Sequence, residues 1–166
     1  MARRKLTQEW LREVLDYDPL TGLFTCLVNR RKARKGDLAA KPSATSPYLY
    51  VSIGYRRYLA HRLAWFYVHG EWPPELDHRD RNKKNNVITN LRIATRSQNN
   101  YNRGRSIKNT SGFKGVTWHA RRNKWQAQIK ISKGYKYLGV FETPEAAHAA
   151  YVEAAKVGHG GFARTE

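Results

Sequence analysis

The sequence predicts an α+β chain made of two small modules, and three observations lead there. Apolar residues recur at helical spacing around Trp10, Leu11, Val14 and Leu15, and again around Leu63, Phe66 and Tyr67. Apolar and polar residues alternate with period two through residues 113–141, the signature of half-buried strands. Between these regimes, residues 103–111 carry no periodicity and read as a linker. A chain of 166 residues suits one domain or two small ones.

Taken in order, Leu6 to Leu15 reads as an amphipathic helix with Thr7 as N-cap. Asp18-Pro19 and Thr21-Gly22 signal turns, and Leu23 to Val28 a strand. The run Arg30-Arg31-Lys32-Ala33-Arg34-Lys35 follows, with too few nearby acids to neutralise it, and reads as a phosphate contact. Ser43 to Pro47 is turn-like, and Tyr48 to Ile53 pairs with Arg57 to Leu59 across Gly54. His61 to His69 is a helix stopped by Gly70 and Pro73-Pro74. Leu76 to His78 and Leu91 to Ala94 are short apolar runs joined by an Asn-rich loop. Thr95-Arg96-Ser97-Gln98 has capping-box spacing, so a helix begins at Arg96. Phe113 to His119, Lys124 to Ser132 and Tyr135 to Phe141 are three strands joined by turns at Arg121-Arg122-Asn123 and Lys133-Gly134. Thr143 caps a final helix with Pro144 at its first position, packed through Ala147, Ala150, Tyr151 and Ala154. The expected organisation is a module over residues 1–105, a linker at 106–110 and a second module over 111–166.

Composition limits the function. Lysine and arginine number 31 against 13 acids, a net charge of +18, while the charged fraction of 27% is ordinary. The surplus comes from missing acids, which fits a folded protein with a polyanionic partner. Both modules are basic, at +12 and +6. The single cysteine, Cys26, excludes a disulfide framework and a zinc site built on several thiolates, and fits a reducing cytoplasm. No apolar run reaches the 18 or so residues of a membrane span, and the basic start is followed by an amphipathic stretch, not a signal core. Twenty aromatics among the cations favour nucleic acid over a membrane surface.

The chemistry-bearing constellation lies between Leu76 and Asn102. Asp77-His78 sets a carboxylate beside a titratable imidazole at the end of a short strand. Asn90 and Asn99 follow through a loop, a second strand and a helix. Neighbours on a flat strand point to opposite faces, so Asp77 and His78 converge only if the strand ends or twists there, and the turn formers Arg79 to Asn82 supply such an ending.

This stretch resembles the HNH nuclease motif, the ββα-metal fold, and more closely the phage-type HNH homing endonucleases. The likeness extends through Tyr17-Asp18-Pro19-Leu20-Thr21-Gly22, His61-Arg62-Leu63-Ala64-Trp65 and Gly70-Glu71-Trp72-Pro73. The resemblance implies that His78 is the general base and that Asp77 and Asn99 hold one divalent cation, Mg²⁺ or Mn²⁺, per site. It makes Asn90 structural, tying the loop that aims His78. His61 and Asn102 are accessory candidates, the first for a structural bond or phosphate contact, the second for a further ligand. The chemistry agrees. Phosphodiester hydrolysis needs an activated water and a Lewis acid, and imidazole titrates near neutrality. A carboxylate and an amide suit a hard ion that keeps several waters. The sequence departs from the motif's name by carrying Asn99, a neutral ligand, at the third position, and it has Asn85-Asn86 where many relatives carry Asp-Asn.

The second module resembles the plant APETALA2/ethylene-response-factor DNA-binding domain. Gly112-Phe113-Lys114-Gly115-Val116, Trp125-Gln126-Ala127-Gln128-Ile129, Tyr137-Leu138-Gly139-Val140-Phe141 and Thr143-Pro144-Glu145-Ala146-Ala147 carry the likeness. It implies a three-stranded antiparallel sheet packed on one helix, with Lys114, Thr117, His119, Arg121, Arg122, Gln128, Lys130 and Tyr137 toward DNA. Thr117 and His119 stand where the plant domain usually has arginines, so its target sequence does not carry over.

Together the resemblances imply a site-directed endonuclease of the homing type in a phage-infected bacterial cytoplasm. It would act on double-stranded DNA as a monomer or weak dimer, nick as a monomer, and leave 5′-phosphate and 3′-hydroxyl ends. The sequence implies no membrane and no obligate protein partner. Two other classes stand beside this reading: a DNA-binding protein on an inactive nuclease scaffold, and an RNA-binding basic protein suggested by charge alone.

Overall fold

The computed structural model describes residues 5–30, 32–132 and 134–165. Residues 1–4, Arg31 of the basic run, Lys133 of the last expected turn and Glu166 lie outside the described residues. The chain is mixed α+β with several small antiparallel sheets, and it forms two compact units, one ending at Ala94 and the other starting at Thr95.

The first unit opens with α1 (Gln8–Val14), whose N-cap Thr7 accepts the Trp10 N–H. The helix ends earlier than its apolar stripe suggests. Leu15 turns extended and begins β1 (Leu15–Asp18), which pairs with β2 (Leu23–Cys26). Leu15 belongs equally to a 3.6-residue stripe and to an alternating Leu15/Tyr17 pair, and burial of both decides for the strand. Next comes a three-stranded sheet of β3 (Ala40–Ser43), β4 (Ser46–Ile53) and β5 (Arg56–Leu59), with β4 in the middle. The β4–β5 hairpin turns at Gly54, as its sequence predicts. β3 carries a proline and is partly exposed, so alternation does not reveal it.

α2 (Ala60–His69) buries Leu63, Ala64 and Phe66 and stops at Gly70 in the left-handed conformation. Trp72 stacks on Phe66, and the Arg62 guanidinium donates to the carbonyls of Pro73 and Pro74. That clamp feeds the chain into β6 (Leu76–His78), paired with β7 (Leu91–Ile93). One core serves the unit, centred on Leu11, Leu15, Phe24, Val51 and Leu63, all fully buried.

The second unit starts with α3 (Arg96–Tyr101), whose capping box between Thr95 and Gln98 forms as the sequence predicts. β8 (Val116–His119), β9 (Lys124–Ile131) and β10 (Gly134–Phe141) make an antiparallel sheet with β9 central, packed on α4 (Pro144–His159). The buried stripe of α4 runs Ala147, Tyr151, Ala155 and His159, and the expected Ala154 packs partly buried against the same cluster. A bulge between Tyr137 and Gly139 sends Leu138 inward, onto the core between sheet and helix. Tyr101 stacks on His159 at 3.8 Å, and Lys114 donates to the Tyr101 carbonyl. These contacts are why α3 groups with the C-terminal sheet, although its sequence position suggested membership of the preceding module.

Candidate active site

Asp77 and His78 end β6, and both are buried, 2% and 1% exposed. The strand closes at His78, whose carbonyl accepts the Arg81 N–H at 2.9 Å, and Arg81 takes a left-handed φ of 65° to make the turn. Asp77 faces Arg92 across the β6–β7 pair. Arg92 donates through Nε and Nη2 to Asp77 Oδ2 at 3.0 and 2.8 Å, so the buried carboxylate is charge-paired. His78 lies in an aromatic cluster, with His61 at 4.9 Å and Tyr48 at 6.0 Å between ring centroids. His61, from the first turn of α2, also meets Tyr48 at 4.9 Å.

Burial sets the protonation of both imidazoles. His78 is pushed down by desolvation first and by Lys83 next, opposed by Asn86, Asp80 and Asp77. His61 is pushed down to about 3 by desolvation, His78, Arg62 and Lys83. Both are therefore neutral near pH 7. A neutral imidazole is the form that accepts a proton.

The loop from Arg79 to Asn90 is organised around two side chains. Asn90 Nδ2 donates to Asp80 Oδ1 and to the Asn85 carbonyl, both at 3.0 Å, while Asn90 Oδ1 accepts the Asp80 N–H at 3.1 Å. The Asn90 carbonyl accepts the Arg79 N–H, immediately after His78. Asp80 gathers the opposite side, accepting from Asn82 N–H at 2.8 Å and Asn85 Nδ2 at 2.7 Å. The upstream turn braces this loop. Tyr17 Oη donates to the Asn86 carbonyl at 2.7 Å, and Ile88 N–H to Pro19 at 3.2 Å. Gly22 sits at φ 72° hard against the Asn86–Val87 backbone, where any Cβ would collide. The Tyr17-to-Gly22 segment is thus a support for the loop that follows His78.

The sequence-derived residues separate by unit. Asp77, His78, Asn90 and His61 come together in the first. Asn99 and Asn102 belong to α3 of the second, where Asn102 is the buried C-cap. Arg92, Asp80, Tyr48 and Lys83 have no role expected from sequence. Pairing the two short strands in antiparallel register would have placed Arg92 opposite Asp77, and the Asp80-to-Asn82 spacing is that of an Asx turn.

The donor chemistry fits a hard divalent ion. Asp77 offers carboxylate oxygen, and Cys26 is buried in the core with Arg30 Nη2 on its sulfur at 2.8 Å. Among the described residues no three His, Cys, Asp or Glu side chains are grouped so as to hold a metal ion by themselves.

Arg30 is half-buried and also donates to the Ser52 carbonyl at 2.7 Å, whereas Lys32, Arg34 and Lys35 are exposed. In the second unit, Thr117, His119, Gln128, Lys130 and Tyr137 share one sheet face, since paired residues Gln128↔Tyr137 and Thr117↔Gln126 point the same way. Arg122 Nη1 donates to Tyr137 Oη at 3.4 Å, and Arg121 is exposed in the adjoining turn. Lys114 differs. Its ammonium donates to the carbonyls of Tyr101, Arg103 and Arg164 at 2.7, 2.6 and 3.1 Å, directions that hold the unit together rather than face a phosphate.

Comparison with known proteins agrees with these features. Residues 58–101 match an HNH endonuclease family, so the chain carries an HNH endonuclease domain there. Protein 3.8 of Escherichia phage T7 is 34% identical over 71 residues, covering 42% of this chain and 59% of that protein. The AP2-like ethylene-responsive transcription factor AIL7 of Arabidopsis thaliana is 39% identical over 79 residues, 46% of this chain and 14% of that protein. The chain thus spans less than two thirds of either relative. No solved structure gives a significant match.

Proposed function

We propose that the protein is a metal-dependent DNA endonuclease in which His78 activates water against a phosphodiester. The observation that carries this reading is a buried, neutral His78 directly following a buried Asp77, at the end of a strand whose loop is locked by Asn90. His78 takes the proton of the attacking water. Asn90 and Asp80 fix the backbone on its C-terminal side, so the ring is held before substrate arrives. His61, neutral and edge-on to its ring, excludes water from that face and adds no competing charge. Asp77 and Asn99 would hold one Mg²⁺ or Mn²⁺ ion, which when bound supplies positive charge against the phosphate and leaving oxygen.

The reading extends to the remaining residues. The nuclease module comprises residues 1–105 and the DNA-holding module 111–166, where the shared face of Thr117, His119, Gln128, Lys130 and Tyr137 lies on the duplex. Exposed Lys32, Arg34 and Lys35 add phosphate contacts, and one site per chain nicks one strand as a monomer. A phage homing role follows from the sequence resemblance. The test is conversion of supercoiled plasmid by purified protein with Mg²⁺, with EDTA, and with His78→Ala. Metal-dependent nicking abolished by the substitution supports the reading.

One observation favours a second reading. Arg92 already neutralises Asp77 through two hydrogen bonds to one oxygen. A binding protein on an inactive scaffold would have that pairing permanently, and would retain duplex binding without cutting under any metal.

A further inference from the structure

A groove of about 630 Å³ opens on the first unit, lined by none of the residues around His78. Its size falls within the range of small-ligand sites, about 300–1,000 Å³, and is too small for a duplex. Helix α1 contributes the Trp10 ring, which runs so close under the β4–β5 turn that a Cβ on Gly54 would lie 3.0 Å from Cη2. Val28 and Leu38 form apolar walls and stand 39% and 48% exposed. Arg30, Lys32, Lys41 and Arg57 surround the opening, and no carboxylate lines it among the described residues.

Two features of the rim are specific. The Arg57 guanidinium lies over the Tyr50 ring at 4.4 Å, a cation–π contact. Tyr55 sits at the tip of the hairpin at φ 65°, 95% exposed. A side chain with a Cβ costs about 1–2 kcal/mol in that left-handed conformation, and glycine or asparagine would fit the turn without it. An aromatic ring held in strain and left open by the described residues points to a contact outside the chain.

We propose that this groove binds single-stranded DNA, taking one or two unstacked nucleotides. Their bases lie against Tyr55, Tyr50 and Trp10, and their phosphates meet Lys41 and Arg57. A duplex shows only base edges and a convex line of phosphates, whereas this surface offers flat faces above an apolar floor, which match bases whose faces are free. An acidic peptide would satisfy the cations but leave the aromatic planes without a flat partner. The site does not depend on hydrolysis, and a chain that never cuts would still bind there.

The test is fluorescence anisotropy with a labelled oligothymidylate of about 12 nucleotides, within the usual span of single-strand sites, beside a duplex of equal length. Tyr55→Ala and Arg57→Ala alter exposed positions, so folding is preserved, and circular dichroism checks it. Tyr55→Ala should weaken single-strand binding by about 10-fold, the loss of one stacked base. Arg57→Ala should reduce the salt slope by about 0.7, one single-strand phosphate contact. Duplex affinity should change less than about 2-fold in both. Equal loss on single and double strands, or no loss, overturns the proposal. So does displacement of the oligonucleotide by a glutamate-rich peptide as effectively as by unlabelled oligothymidylate. Plasmid nicking is followed in the same preparations: its failure in the wild type counts against the nuclease reading and leaves this one intact.

Discussion

Exchanging Asn90 separates its role in holding the loop from any role in chemistry. Asn90→Ala removes two donated hydrogen bonds, to Asp80 Oδ1 and the Asn85 carbonyl, and one accepted from the Asp80 N–H. Neutral bonds contribute about 1 kcal/mol each and one to a carboxylate about 1.5–3, but Asp80 is exposed and water replaces part of the loss, so the net cost is about 2 kcal/mol. Asn90→Asp is nearly isosteric, yet it should be worse. It keeps the acceptor for Asp80 N–H but turns a carboxylate oxygen toward the Asp80 carboxylate and the Asn85 carbonyl. Two such charges at about 4 Å repel by up to about 4 kcal/mol at an intermediate dielectric, before solvent screening reduces it. The order of stability is therefore wild type, then Asn90→Ala, then Asn90→Asp, with the last recovering as pH falls and the new carboxyl protonates. Urea unfolding followed by far-UV circular dichroism, at about pH 7.5 and about pH 5, measures this. An Asn90→Asp protein as stable as Asn90→Ala near neutrality, or one indifferent to pH, refutes the argument.

Three further outcomes follow from the same geometry. Arg92→Met removes the guanidinium paired with buried Asp77 and should cost about 3 kcal/mol, whereas Arg92→Met with Asp77→Asn should recover most of that in a double-mutant unfolding cycle. His61 has a folded pKa near 3 against an ordinary value of 6.5, so the unfolded chain binds the proton better. The stability its burial allows is complete above about pH 6.5 and falls as pH drops toward 3, by about 2 kcal/mol at pH 5, and His61→Phe should flatten that slope in urea titrations. Gly115 lies at φ 78° with the Tyr151 ring directly over it and the Gln128 carbonyl 2.8 Å from any Cβ. Gly115→Ala should therefore cost at least about 2 kcal/mol in the second unit, read from the thermal midpoint.

The parts of the fold that sequence exposes are those where local chemistry and packing agree. The Thr95–Gln98 capping box, the Gly70 stop and the Thr143-Pro144 start are each decided by a side chain meeting a nearby backbone group, so spacing along the chain suffices. β1 escapes because Leu15 satisfies both a helical and an alternating pattern, and only burial of Tyr17 chooses between them. The same distinction runs through the site. Asp77-His78 and Asn90 are adjacent or loop-related and stand out as a pattern. Arg92 becomes visible only once the strands are paired, and the Asp80 network only once the loop closes. Lys114 shows the reverse: its motif matches a DNA-facing position, but its length lets it reach three carbonyls contributed by segments far apart in sequence. Helix α3 likewise follows a contact between Tyr101 and His159, which no local pattern announces.

The central claim is that His78 acts in chemistry and not in holding DNA. Single-turnover cleavage of one DNA substrate by wild type and His78→Gln, with affinity measured in parallel in Ca²⁺, tests it most directly. Removal of a general base should slow cleavage by about 10²–10⁴-fold, with DNA affinity changed less than about 2-fold and the unfolding curve retained. Cleavage that persists at the wild-type rate in His78→Gln, or a wild type that binds the duplex and cuts it with neither Mg²⁺ nor Mn²⁺, contradicts the account.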